Sequence, residues 1–255
     1  MKRSWLMGLF VLLFFGTVIA TMPLSFVLER AGLRQAGLNW QHTKGTIFRG
    51  EIIGLSYGTQ SLGSLGLNFV ATDLFSARLG YQVDLNGPGM TGVSKVSLGR
   101  NKIIFKDLNG AADINRLAYF VNDVRSVGGQ IELSDINIDF DTDEKNCTSA
   151  SGRIVSNVLG RFAAALAKQR AEDILGDIGC VAGALTLGME GVTESEDRVT
   201  VDGVLSASDR SHLEIKVHTL DAVLGAGLEL YGFEQRGEAY ILRQEIVTIE
   251  GLING

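Results

Sequence analysis

Apolar and polar side chains alternate with a period of two through most of the chain after residue 23. The heptapeptide HLEIKVH, His212 to His218, puts Leu213, Ile215 and Val217 on one face and His212, Glu214, Lys216 and His218 on the other, the pattern of a half-buried strand. YQVDLN (81–86), KVSLG (95–99), NKIIF (101–105), RVTVDGVLSAS (198–208) and EAYILRQEIVTIE (238–250) read the same way, with acidic or glycine-bearing turns between them. In GGQIELSDINIDF (128–140) the apolar set Ile131, Leu133 shifts by one position to Ile136, Ile138, Phe140. That odd step predicts a bulge near Ser134 and Asp135.

Two segments leave this pattern. Asp113 to Val124 carries Leu117, Phe120, Val121 and Val124 at helical spacing behind a capping Asp113. Arg153 to Ile178 starts as a strand and turns helical by about Val158, with Leu159, Phe162, Ala163 and Leu166 on one stripe. The expectation is about twelve strands and two helices. Two glycine-led alternating stretches, GQIELSDINI and GALTLGMEGV, echo each other after the two helices. They suggest two similar sheet segments, about 40–145 and 146–255, although no fixed repeat period marks a solenoid.

The N-terminus differs from everything after it. Lys2 and Arg3 precede an uncharged run from Trp5 to Met22 that Pro23 closes, and the first acid is Glu29. About twenty apolar residues cross a bilayer as a helix. A cleavable signal has a shorter apolar core and a small-residue cut site, and Val18-Ile19-Ala20 fits that site poorly. The expected layout is a cytoplasmic 1–4, a transmembrane signal anchor over 5–22, and an extracytoplasmic 23–255, oriented by the two leading cations. Cleavage of the segment is the alternative.

Composition narrows the class. Thirty-two Gly against 2 Pro, without a collagen period, suit a β-protein with many turns. The net charge of −6 and the absence of a Lys/Arg cluster argue against a nucleic-acid partner. The only two cysteines, Cys147 and Cys180, lie 33 residues apart in the exported part. An oxidising compartment favours their pairing, worth roughly 3 to 4 kcal/mol for a loop of that length.

Chemistry-bearing patterns fail in turn. Gly87-Pro88-Gly89-Met90-Thr91-Gly92 matches G-x-G-x-x-G by letter, but the strand VSKVSLG follows it where a dinucleotide site needs a helix, so a hairpin turn is expected. Asp139, Asp141 and Asp143 imitate the start of a calcium loop, yet Glu144 stands where the turn needs Gly and Ala150 where the bidentate acid belongs. A solvated acidic strand end is expected instead. His212 and His218 sit six residues apart on one strand, roughly 20 Å at about 3.3 Å per residue, too far to share a metal. No G-x-S-x-G or S-x-x-K motif occurs. Asn146-Cys147-Thr148 fits the glycosylation pattern only by letter. No catalytic residue, cofactor or metal is expected.

In GTIFRGEIIGLSYG, Gly45 to Gly58, four glycines punctuate strand-forming residues, as corners of a sheet do. Together with the membrane helix, PLSFVLERAGL and Trp40, the block GTIFRGEIIGL resembles the type II secretion system protein N family. That family's turn motif maps onto Gly45, Thr46, Phe48 and Gly50. LGSLGLNF (62–69) and GYQVDLNGPGMTG are similar to its next strands, and CTSASGRIVS with Cys180-x-x-GALTL to its paired cysteines. The order of features holds from residue 1 to about 220. The chain departs in having Phe48 in place of a tryptophan and an Ala-rich helix between the cysteines. The resemblance implies a mostly β fold: an N-terminal transmembrane helix, then a curved, Gly-punctuated antiparallel sheet with two short helical insertions. It implies an accessory, non-catalytic scaffold in the bacterial inner membrane with its bulk in the periplasm. Its partners would be the inner-membrane platform, the outer-membrane secretin complex, or both. The layout is also similar to AsmA-like proteins, which implies a short groove that handles lipid.

Overall fold

A computed structural model of the chain describes residues 21–113, 128–158, 170–206 and 211–246, apart from 36 and 59, with scattered positions in 7–18 and 160–164. The strands are β1 (Leu38–Asn39), β2 (His42–Gly45), β3 (Arg49–Tyr57), β4 (Gln60–Val70), β5 (Leu79–Gly87), β6 (Met90–Leu98), β7 (Lys102–Asp113) and β8 (Gln130–Asp141). There follow β9 (Asn146–Ser156), β10 (Ile174–Val181), β11 (Ala184–Val192), β12 (Arg198–Leu205), β13 (Ser211–His218), β14 (Glu234–Arg236) and β15 (Ala239–Ile246). Helix α1 is Leu24–Arg30, helix α2 is Ala222–Leu230, and a 3-10 turn spans Ala71–Ser76.

All fifteen strands join one open sheet in the order β1, β3, then β4 through β13 consecutively, then β15 and β14, with β2 also on β3. The period-two segments find antiparallel partners one turn away in the chain, so the alternation seen in sequence becomes two chemically distinct faces. At about 4.8 Å per strand the sheet extends roughly 70 Å along its hydrogen-bonding direction. The ladder between β8 and β9 crosses residue 145 from Ile131–Ser156 to Asp141–Asn146.

Local chemistry accounts for the irregularities. The bulge expected near Ser134 and Asp135 is present as a register shift between Ser134 and Asn137, with Asp135 at φ 52°. Pro88 and Gly89, at φ 75°, make the two-residue turn between Gly87 and Met90, so the glycine-rich letters form a hairpin. The three strands beyond the expected twelve are short pieces at the sheet's two ends, too brief for period two to register. Helicity appears at the described positions from Val158, but the segment does not stay helical to Ile178, because Ile174–Val181 is β10. The alternation of Ile174, Gly176 and Ile178 belongs to that strand. Apart from Asp113, the last residue of β7, the expected helix to Val124 lies outside the described residues.

Helix α2 was not expected. Asp221 Oδ1 caps it by accepting from the Val223 and Leu224 amides at 2.8 and 3.2 Å. It ends in a Schellman turn, with Phe233 N–H donating to Leu228 O and Gly232 N–H to Glu229 O. Leu224 and the fully buried Leu228, one turn apart, press into a core with Ile136, Ile154, Ile174, Met189, Val199 and Val217. A second core lies at the other end, where Leu24 and Leu28 of α1 meet Ile52 and Leu55.

Among the described residues no helix is long and apolar enough to cross a membrane. Half of 5–22 lies outside them, and the described positions between 7 and 18 are helical.

Candidate functional site

The turn that carries Gly45, Thr46, Phe48 and Gly50 joins β2 to β3 and receives the chain arriving from the N-terminal segment. Pro23 bridges to Thr46, and Ile47 N–H donates to Met22 O at 3.2 Å. Thr46 N–H closes the turn on Arg49 O at 3.0 Å. Gly45 and Gly50 are cross-strand partners with different requirements. Gly45 sits at φ 80°, a left-handed conformation that side chains disfavour. Gly50 is needed for space, since a Cβ there would lie 2.6 Å from Leu24 Cδ2 and 2.8 Å from Thr46 O. Phe48 is half-buried and not the fully buried anchor that a hairpin core would want. Its ring meets Phe69 edge-on at 4.9 Å, and Phe69 meets Tyr81 at 5.6 Å.

One face of the sheet carries a continuous apolar row, with Ser94, Ser156 and Gln244 in the rows beside it. A single cross-strand row runs Ile52, Leu65, Leu85, Gly92, Gly110, Leu133, Ile154, Gly176, Met189, Val201, Ile215, Leu242, with no polar side chain in it. Ile52 at one end is buried in the α1 core, and Ile154 and Met189 farther along are buried in the α2 core. Between them Val83, Leu85 and Val96 stay half-buried and belong to neither core among the described residues. This row crosses twelve strands, and sequence reasoning, which sees each strand alone, does not reveal it.

A disulfide joins Cys147 of β9 to Cys180 of β10, whose Cα atoms are 5.7 Å apart. Both strands contribute their rows to the apolar face, where Cys147 is buried.

The opposite face is largely polar and carries two local clusters of paired charge. Glu214 lies between Lys216 Nζ, 2.6 Å away, and Arg243 Nε, and these two cations cover its carboxylate. The hydrogen bond from Lys216, then that from Arg243, holds the Glu214 carboxyl below the usual range, and Glu214 in turn raises Lys216. On β6, Lys95 Nζ reaches Asp73 Oδ1 at 2.6 Å and Ser97 Oγ donates to Asp73 Oδ2. Those bonds, Lys95 first, lower the Asp73 carboxyl. Neither cluster was singled out from sequence. Glu214 and Lys216 share a strand face by spacing, but Arg243, Lys95 and Ser97 join only through register. His212 and His218 are both exposed on β13, and Asp141 Oδ1 caps its turn by accepting from the Asp143 and Glu144 amides. Among the described residues no three potential metal ligands converge.

The polar outer face, the apolar inner row and the paired cysteines all lie within residues 36–243, and over that span the chain matches the family model described as type II secretion system (T2SS), protein N. The chain belongs to that family. The T2SS protein N match begins just before β1 and ends inside β15, so it takes in the Gly45–Gly50 turn, the disulfide and nearly the whole sheet. No curated protein and no solved structure matches the chain. As a T2SS protein N, the molecule is an accessory secretion component that associates with other parts of that system.

Proposed function

We propose that this T2SS protein N is a non-catalytic scaffold, anchored in the inner membrane by residues 5–22 and extending its sheet into the periplasm toward the platform, the secretin complex, or both. The observation that carries the reading is the family match across 36–243. Three features support the anchor and the compartment. The described apolar positions Met7, Phe10, Leu13, Phe14 and Val18 are helical and all exposed, as on a helix immersed in lipid. Thr17 Oγ1 donates back to Leu13 O at 2.8 Å, so its hydroxyl is satisfied within the helix. The cysteines are oxidised. The charged clusters are neutralised ion pairs on an open face, an arrangement suited to solubility more than to proton transfer. Deleting the gene and assaying secreted substrates tests the reading. Accumulation of folded substrate in the periplasm, reversed by the full chain, is expected. Unchanged secretion overturns it.

The unbroken apolar row favours a second reading, a groove that holds lipid acyl chains. Leu85→Asp and Val96→Asp each place a charge on the half-buried stretch of that face. Mass spectrometry of the purified full chain is expected to find bound lipid in the wild type and to lose it in these variants. A lipid-free wild type removes this reading and leaves the scaffold.

A further inference from the structure

Two turns stand at the rim of the sheet where the N-terminal segment arrives. Strand β3 starts at Arg49, beside the bridge from Pro23 to Thr46. The row Arg49, Asn68, Gln82, Lys95 places the end of β4, the start of β5 and the end of β6 at that same rim. The β4–β5 turn (71–78) and the β6–β7 turn (99–101) therefore lie one to four strands from β3, about 5 to 19 Å.

These turns carry an unusual surface. Phe75, at the tip of the 3-10 turn, is 95% exposed, and Leu74, Leu79 and Leu98 around it are exposed too. The exposure is held in place by bonds beneath the tip. Ala77 N–H donates to Leu74 O, Arg78 N–H to Asp73 O, and Asp73 is itself fixed by Lys95 and Ser97. Cations surround the apolar tip. Arg78 and Lys102 flank Gly99, whose Cβ position is 3.8 Å from Arg78 Cγ, and Arg100 is exposed beside them. The one acid in the two turns, Asp73, is already paired. In a chain of net charge −6 this is a locally cationic, apolar-tipped edge.

We propose that these two turns make a second membrane contact, in which Phe75 and Leu74 enter the headgroup boundary of the bilayer and Arg78 and Arg100 meet anionic lipid phosphates. The proposal rests on reading 5–22 as an inner-membrane anchor. Apolar tips ringed by cations bind anionic interfaces in this way. The acidic β8–β9 turn, with Asp141, Asp143 and Glu144, borders the far side of this edge: Asp141 stands opposite Lys102, and Thr142 N–H donates to Asn101 O at 3.0 Å, so the free cationic charge is that of Arg78 and Arg100 beside Phe75. The contact is thus confined to the strands nearest the anchor. It fixes the tilt of the sheet on the membrane, which a single helix followed by Pro23 does not.

The test uses the full chain in vesicles of phosphatidylethanolamine and phosphatidylglycerol with brominated acyl chains. Phe75→Cys and Pro88→Cys, at opposite ends of the β5–β6 region, are each labelled with an environment-sensitive fluorophore; the native cysteines are joined, so only the new thiol reacts. A blue shift and loss of emission are expected at 75 and not at 88. Arg78→Glu with Arg100→Glu is expected to abolish both effects at 75. An unquenched label at 75 on protein that survives alkaline wash overturns the contact alone, as does equal quenching at both sites. A label unquenched by lipid but shielded on adding purified secretion components overturns it in favour of protein docking. Release of the chain itself by alkaline wash overturns the anchor, and the contact with it.

Discussion

Cys147 and Cys180 are bonded where the backbone pairing of β9 with β10 has already stopped. That ladder spans only four pairs, from Ile174–Ser156 to Asp177–Arg153, against seven for β10 with β11. The disulfide closes the far end of this seam, and Cys147 N–H turns instead to Gly183 O at 2.7 Å. A covalent tie thus stands in for missing hydrogen bonds between the strands.

Cys147→Ser and Cys180→Ser are each expected to lower stability by about 2 to 5 kcal/mol, with the double variant no worse than either single one, because all three open the same loop. Urea unfolding of the oxidised proteins measures this. Hydrogen exchange is expected to rise first at 153–156 and 174–177, the short ladder left unsupported.

At the Gly45–Gly50 turn, Gly50→Val is expected to be strongly destabilising, since its side chain would meet Leu24 and Thr46 O. Phe48→Ala is expected to cost about 1 to 3 kcal/mol, less than a fully buried Phe, because the ring is only half covered. Phe48→Trp is expected to be tolerated, the larger ring extending toward solvent. In each variant secretion should fall in proportion to folded protein. A folded, abundant and inactive variant would make this turn a partner site.

Leu228→Ala is expected to cost about 2 to 5 kcal/mol, because it leaves a cavity between α2 and the sheet. Asp221→Ala is expected to cost about 1 kcal/mol through loss of the helix cap. Thermal melts of both variants check the ranking.

Stability is expected to fall on acidification. Glu214 and Asp73 titrate lower in the folded chain than in the unfolded one. Their contribution is therefore complete above the ordinary carboxylate range, about pH 4, and lost as pH drops through the lower folded values. The cations concerned are partly exposed, with the Arg243 side chain at 62%, so salt is expected to reduce the effect. Glu214→Gln is expected to flatten the acid limb of a stability–pH curve.

Alternation along each strand was legible because one face of every strand meets apolar neighbours and the other meets water. His212–His218 shows this directly, with Leu213, Ile215 and Val217 facing inward. The bulge at Asp135 was legible for the same reason, as a break in phase. Helix α2 carried a signal that went unread: Asp221 before Leu224 and Leu228, masked by Gly225 and Gly227, which weaken helix propensity. The apolar row and the Arg243–Glu214 pair were not legible, since they depend on register between strands, which no single segment encodes.

Except at its two ends, the sheet's strand order is the order of the chain. A polypeptide that folds from its N-terminus can therefore add strands one after another, each new one finding its template already laid down. Such growth needs no long-range search, and its loop closures are short and fast. The growing edge is always the most recently arrived strand, open to any passing chain until the next one covers it. Cys147 waits at that edge through the segment between β9 and β10. Once Cys180 on β10 is in place the bond can form, so a tie across the first ten strands needs none of the last five.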